Sequence, residues 1–488
     1  MRRFFVVFAV ALIASAHVGS PNVVYDGAAG PYGVRVVVRP PMVVPGRAEV
    51  IVRVDADDVK SVGLRPVFWR AGLKGAPTAD PAKPVAGQPR LYSGELWLMA
   101  YGAYSVYVTV DGARGAGTAI VPVSSFATGR LGLSRGLGAI LVALGVLLVA
   151  GLLTIVRAAA GDSLLPAGQT MDPSRRRRAD RVMLIATPVL AVVLLGGAKW
   201  WNVVDRKYRS AMFRAPAADA SITGDSTHRT LSLWVHDTSQ FRSIHAPVIP
   251  DHGKMMHLFL VSTRGGQVFA HLHPTEVDSL RFRTELPWIP AGPYLLFADI
   301  ATENGLSLTA STRIEVPPAA GSVTPSDADD SWDQTRQVTL AREGATRSLG
   351  ASHSIAWAGG NDPIVSGRPT DLRFVVRDSA NQVAQLEPYL GMPGHAVVVR
   401  LDGSVFIHLH PAGTVAPVTQ HVFAMRDRGD TASNGRVTGV GAEHANGSKM
   451  SGELTFPYEF PKPGRYRVWV QVKPKDRVLT GMFDVDVR

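Results

Sequence analysis

Two kinds of hydrophobic patterning run along this chain. Most of it consists of short runs in which apolar and polar residues alternate or β-branched residues cluster. Examples are Val34–Val38, Ala48–Val54, Tyr104–Val110, Leu231–Val235, Leu258–Val261, Leu372–Val376, Ala396–Val399, Arg465–Val472 and Met482–Val487. Glycine, proline, aspartate and asparagine punctuate them. Period-two alternation puts every second side chain on one face of a strand, and many short strands separated by turn residues make antiparallel sandwiches. The expected fold class is mainly β: three Ig-like or cupredoxin-like antiparallel β-sandwich domains, with two transmembrane helices and a signal peptide.

The second kind of pattern is long and unbroken. Residues 137–156, LGAILVALGVLLVAGLLTIV, and residues 182–198, VMLIATPVLAVVLLGGA, are each close to the ~20 residues that cross a bilayer as helix. Trp200 and Trp201 extend the second and suit an interfacial belt. This predicts spans at 136–157 and 182–201. The loop 158–181 between them carries Arg175–Arg178 and Arg181, and positive charge places such a loop in the cytoplasm. At the N-terminus, Arg2 and Arg3 precede the apolar run Phe4–Ile13 and the A-x-A site Ala14-Ser15-Ala16. That is the layout of a signal peptide, 1–16, with a mature chain starting at His17. The expected location is a bacterial inner membrane, with both soluble regions facing the periplasm or the outside.

The soluble parts repeat. LSLWVHD at 231–237 matches LRFVVRD at 372–378, and MHLFLVSTRGGQVFAHLHP at 256–274 matches GHAVVVRLDGSVFIHLHP at 394–411. GPYLLFADI at 292–300 matches GRYRVWVQV at 464–472, and a third G-x-Y strand, GAYSVYVTV, lies at 102–110. The predicted organisation is a first sandwich at 17–128, a linker at 202–228, a first repeat at 229–317, a second linker at 318–335 and a second repeat at 336–488. Within the last, the Gly/Asn/Asp-rich stretch Arg426–Gly447 reads as a long loop.

The chemistry sits on the repeated strands. Each His-Leu-His-Pro places two imidazoles on one strand face, His271 with His273 and His408 with His410. A third histidine precedes each pair at matched spacing, His257 by 14 positions and His395 by 13. Three imidazoles from adjacent strands are the ligand count of a metal site, and the chain writes it twice. In each copy the aliphatic residues Val268, Ala270, Leu272 and Val405, Ile407, Leu409 take the opposite face. The histidines are therefore expected to point away from the sandwich core, on an outer sheet face or rim, beside Phe269 and Phe406. Neutral imidazoles suit Zn(II), Cu(II), Ni(II) and Fe(II), and thioethers favour copper. Met255 and Met392 lie just before His257 and His395, so copper is the expected cofactor and zinc the alternative. Met256, Met450 and His444 are looser candidates. His236, His245 and His252 could supply an alternate ligand or a loading surface. His17 is a separate candidate, through an N-terminal amine chelate. Asp299 and Gln471 occupy matching positions on the G-x-Y strands, where either could orient a ligand.

Composition narrows the choice. The 488 residues contain no cysteine, which excludes disulfides, zinc-thiolate sites and thiolate copper centres. The net charge of +11 raises the question of nucleic acid. The densest basic run, however, lies between the two apolar segments, so membrane topology accounts for it and no nucleic-acid partner is expected.

Residues 22–125, with GPYGVRVVVRPPMVVPGRAEVIVRV and GELWLMAYGAYSVYVTVDG, resemble the YtkA-like (FixH-related) extracytoplasmic β-sandwich domains. That resemblance implies a bacterial membrane setting, often with metal or respiratory gene sets. The C-terminal run LEPYLGMPGHAVVVRLDGSVFIHLHP followed by FPKPGRYRVWVQVK is similar to secreted bacterial proteins sometimes described as copper- or heavy-metal-associated. The expected function is membrane-anchored, extracytoplasmic metal handling (buffering, delivery or resistance) without enzymatic activity. A metal-donor or metal-acceptor protein would be its partner. Two alternatives stand beside it: a scaffolding sandwich protein of a membrane complex that uses no metal, and a zinc hydrolase or hydratase. For the last, three histidines would activate a water, with Glu276 the nearest carboxylate after the first motif.

Overall fold

A computed structural model describes residues 22–162, 165–166, 168–236, 246–278, 280–319, 327–335, 337–430 and 448–488. The expected signal peptide, with His17, His245 and His444, lies outside them. The described chain is mainly β and forms two compact units, one from residues up to Phe126 together with Arg214–Arg488, the other from Ala127–Phe213.

The smaller unit is a hairpin of two helices, α1 at Arg135–Asp162 and α2 at Pro173–Ala211. Both are long and apolar enough to cross a membrane. Helix α2 starts earlier than the hydropathy suggests. The Asp172 carboxylate accepts from the backbone N–H groups of Ser174 and Arg175 at 2.8 Å, and Pro173 fits the first helical position. Arg175–Arg178 thus ride on the helix, and the predicted 158–181 loop shortens to the residues between Asp162 and Pro173. The hairpin is stitched at both ends. Arg157 pairs with Asp180 at 2.8 Å near the turn. Arg130 pairs with Asp205 at 2.7 Å at the open end, where the Phe213 N–H donates to the Ala127 carbonyl at 2.8 Å.

The larger unit contains three sandwiches. In the first, the sheet built on Val23–Ala29, Tyr32–Arg39, Gly46–Val54 and Leu91–Leu98 faces the sheet of Val59–Phe68, Gly102–Gly112 and Gly115–Ser125. Alternation holds strictly on Gly46–Val54: Ala48, Val50, Val52 and Val54 are buried in the core while Arg47, Glu49 and Arg53 point outward.

The two repeats share a frame. In the first, the strands Val268–Leu272, His257–Ser262, Gly292–Thr302 and Ser307–Val316 pair in that order. In the second, Phe406–Leu409, His395–Arg400, Gly464–Val472 and Leu479–Val487 do the same. The registers match: His257 lies opposite Asp299, and His395 opposite Gln471. Each of these sheets buries one face against its own partner sheet, with Ala396 and Val398 in the core of the second repeat.

The other face is not on the outside. Phe259, Val261, Phe269 and Phe297 from the first repeat and Val397, Val399, Phe406, Trp469 and Met482 from the second form one buried apolar layer. Phe269 stacks on Trp469 at 4.9 Å and Phe297 on Phe406 at 4.3 Å. The two histidine-bearing sheets therefore pack face to face. This corrects the expectation of an outer sheet face or rim. A face that alternates histidine with Phe and Val is too apolar to leave in water, and each repeat covers the other's.

Both predicted linkers also carry structure. Ala218–Gly224, inside 202–228, is an edge strand paired with Arg229–Val235. Ser331–Gln334, inside 318–335, pairs with the first HxH strand. The part of Arg426–Gly447 beyond residue 430 lies outside the described residues. Its start belongs to a helix, α3, at Pro417–Arg428, with Pro417 at its first position and Gly429 closing it in a left-handed conformation. Val418, Val422, Phe423 and Met425 are its buried positions.

Helix α3 and the loop before it join the first sandwich to the repeats. Gly413 forms a β-bridge with Tyr25, the Asp26 N–H donates to the Ala412 carbonyl at 2.8 Å, and the Thr414 N–H donates to the Val24 carbonyl at 2.9 Å. Nearby, Glu459 is 1% exposed and receives Arg39 at 2.9 Å and the Asn22 amide at 2.5 Å.

Candidate metal centre

Six motif histidines meet in the seam between the repeats, each at most 4% exposed. His257 starts the central strand of its sheet and His271 projects from the adjacent one opposite Phe259, so the two rings are diagonal neighbours on one face. His257 Nδ1 lies 3.1 Å from His271 Nε2. Ring nitrogens bound to one ion ~2 Å away stand about 3–3.4 Å apart, so the separation fits a shared ion.

The protons on these rings are set by their other partners. The His257 Nε2–H has only a carbonyl to donate to, that of Asp251 at 3.3 Å, so Nδ1 carries the lone pair. His271 Nδ1–H donates to Gln471 Oε1 at 2.8 Å. The Gln471 amide nitrogen in turn donates to Ser331 Oγ at 2.6 Å, which fixes its orientation. The Tyr389 hydroxyl donates to the Asp329 carbonyl at 3.2 Å and lies 3.0 Å from the same His271 Nδ1. His271 Nε2 is left as a lone pair aimed at the lone pair of His257. Two neutral rings held this way repel unless a cation sits between them. His273 completes the group: its Nδ1 donates to Asp330 Oδ1 at 3.0 Å, its backbone N–H donates to the same oxygen at 2.7 Å, and its Nε2 is buried with no hydrogen-bond partner. The ligating atoms of His257, His271 and His273 all lie within 4.8 Å of one another. Carboxylate and amide partners on the non-ligating nitrogen are the usual outer shell of a metal-bound imidazole.

The second triplet is assembled differently. The second group with ligating atoms within 4.8 Å is His395, His410 and His252, and His252 comes from the first repeat. His408 stands between the groups, its ring centroid 5.1 Å from His257 and 5.2 Å from His395. The expected set His395, His408 and His410 is therefore brought together, and His252 is the ring that lies with His395 and His410 inside that distance. His408 Nδ1 faces Asp299 Oδ2 at 3.5 Å, and its Nε2 is buried without a partner, as are both nitrogens of His395. A buried polar group left unpaired costs roughly 1–3 kcal/mol. Among the six motif histidines, seven buried nitrogens lack a hydrogen bond: one on His273 and two each on His395, His408 and His410. A bound cation would satisfy one nitrogen of each ring it holds.

Electrostatics agree with ligation. Burial, and then the neighbouring rings, push His257, His271, His395 and His410 well below the ordinary imidazole range. Neutral imidazole is the form that binds metal. Burial, with Asp329 close by, pushes the Tyr389 hydroxyl up, so it stays a hydrogen-bonding phenol. Asp327 and Asp330 also cluster with His273, but Lys254 already holds Asp327 through both carboxylate oxygens at 2.6 Å. That acidic loop serves as support for His273.

The remaining candidates divide. Met255 and Met392 sit half-buried at the turns before the central strands. Met256 is fully buried. His236 pairs with Asp219 at 2.7 Å on the surface. Glu276 lies on an exposed strand. Asp299 and Gln471 act crosswise, each facing a histidine of the other repeat. Sequence reasoning reaches His252 only as an alternate ligand and misses Asp330 and Tyr389. Asp330 reads as linker, and Tyr389 belongs to a turn whose only signal is its match with the turn at Asp251–Lys254.

Residues 352–488 match a family described as a domain of unknown function, DUF8832. No curated protein matches the chain. Among solved structures, the native conformation of E. coli alpha-2-macroglobulin aligns over 94% of this chain and 23% of its own, at 10% identity and a TM-score of 0.21. The chain thus spans under a quarter of that protein's length. A tetra-tandem repeat from the extending region of a large adhesion protein aligns over 91% of this chain and 96% of its own, at 10% identity and a TM-score of 0.15. A putative membrane anchored protein from Corynebacterium diphtheriae aligns over 96% of this chain and 94% of its own, at 9% identity and a TM-score of 0.14. Scores this low define neither a shared topology nor a shared activity.

Proposed function

We propose that this protein is a membrane-anchored, extracytoplasmic metal-sequestering protein that holds copper, or alternatively zinc, in the histidine centre between its two repeats. The observation that carries this reading is the pair of lone pairs at His257 Nδ1 and His271 Nε2, 3.1 Å apart and held there by the Asp251 carbonyl and by Gln471. The all-imidazole donor set suits borderline cations such as Cu(II) and Zn(II). Two apolar helices supply the anchor, and the resemblance of the first sandwich to YtkA-like domains supports the extracytoplasmic side. Burial of every ring favours holding an ion over turning over a substrate, because a hydrolytic metal needs an open coordination position reached by water. A donor or acceptor protein would exchange the ion where the seam can part.

The test is metal content. Full-length protein in detergent, loaded with Cu(II) or Zn(II) and dialysed, should retain metal by elemental analysis, and His271→Ala/His273→Ala should retain less. Equal content in the two proteins would sink the reading.

A further inference from the structure

We propose that the two histidine groups form a single dinuclear centre, in which His252 crosses from the first repeat to complete the second site and His408 stands between the two ions. The inference rests on the metal-binding reading above and adds its stoichiometry, its architecture and its cross-repeat ligand.

The turn that carries His252 occurs twice. Asp251 and Lys254 exchange two backbone hydrogen bonds of 2.9 Å, and Tyr389 and Met392 exchange bonds of 2.8 and 3.1 Å. The two central residues are left-handed in both copies: His252 at φ 51° and Gly253 at 77°, Leu390 at 51° and Gly391 at 79°. A non-glycine residue at the first of these positions is uncommon. The frame is therefore the same, and only one copy places an imidazole in it. The His252 side chain is 3% exposed, and its ring lies 5.5 Å from His395 and 5.3 Å from His410, both in the other repeat.

The two groups also touch. His252 is 6.3 Å from His257 by ring centroid, and His408 is 5.7 Å from His271 as well as close to His257 and His395. Phe259 packs beside this junction, 4.2 Å from His271 and 5.1 Å from His408 by ring centroid. Seven imidazoles exceed what one four-coordinate ion accepts. They divide into two sets of three with one ring shared between. Asp251, Asp299 and Asp330 each lie within 4 Å of a ring nitrogen of the cluster, which offsets the charge of two adjacent cations.

The experiment titrates full-length protein in detergent with Cu(II) alone, counts copper per chain after dialysis, and records electron paramagnetic resonance. The expected result is two coppers per chain with a dipolar-coupled spectrum and a half-field signal. His252→Leu copies the residue of the equivalent turn and should bind one copper with an isolated, uncoupled spectrum. His252→Asn, a residue that tolerates the left-handed conformation, should do the same. Two coppers with uncoupled spectra would overturn the dinuclear centre, and so would two coppers retained in both His252 variants. One copper in the unaltered chain would overturn the second site while leaving the function intact. No copper and no zinc would overturn the function itself, and this inference with it.

Discussion

The two histidine triplets look interchangeable in sequence and are not interchangeable in space. Both come from the same pair of strands in the same register. In the first, every ring is anchored through its second nitrogen: His257 by the Asp251 carbonyl, His271 by Gln471, His273 by Asp330. In the second, both nitrogens of His395 are without a hydrogen-bond partner and His408 has only Asp299, at 3.5 Å. The face-to-face packing explains the difference. A duplicated frame gives each repeat the residues to support the other, and Gln471 and Asp299 both do so. The copies differ at these positions. Glutamine fixes a tautomer at close range, and the aspartate stands further off. In the turn the divergence runs the other way, because the first repeat lends His252 and the second has Leu390 there. The first site is a preorganised triad, and the second is completed by docking.

That contrast can be broken by experiment, and the largest effects come from the ligands. His271→Ala/His273→Ala should abolish the first ion, and His395→Ala/His410→Ala the second, each read as one copper fewer per chain. If either double variant removes both ions, the sites are not separable. Next come the anchors. Gln471→Leu or Asp330→Ala should weaken the first ion by about 10–100-fold, the usual range for removing an outer-shell partner. Asp299→Ala, which touches only the shared ring of His408, should weaken the ions by less, and competition titration with a chelator of known affinity measures both. An equal loss would erase the distinction between a preorganised and a docked site. A smaller effect is expected of Glu459→Gln, which loosens the hold of the second repeat on Arg39 and Asn22 of the first sandwich. It should weaken the second ion by under about tenfold and leave the first alone, in the same titration. The smallest belongs to Met255→Leu/Met392→Leu, which should leave copper content unchanged. A marked loss there would put thioether sulfur into the centre.

Much of this was legible in the residues. Alternation located the strands, and the i, i+2 histidines with a third on the neighbouring strand are where the spacing puts them. The destination of the histidine face is legible in its other members. Phe259, Phe269, Val397, Val399 and Trp469 share it, and a face of that composition needs a cover. What spacing could not supply was the pairing of the two faces, since nothing local in either repeat names its partner. Asp330 was hidden for a related reason. A short strand in a polar stretch forms only because the HxH strand offers it an edge. Helix α3 carried its own signals, Pro417 at the start and Gly429 at the end, inside a region dominated by strand patterns.

The bridge between Tyr25 and Gly413 has a consequence for the order in which the molecule is made. Thr414 and Val24 lie 390 residues apart in sequence. Synthesis delivers the first sandwich long before its partner, at roughly 5–20 residues per second. Val23–Ala29 is the outermost strand of its sheet, so until Gly413 arrives its free edge has open hydrogen-bonding groups. The oldest part of the nascent chain thus acts as the template on which the last histidine loop is set. A chain truncated before Gly413 would leave that edge exposed to the wrong neighbour.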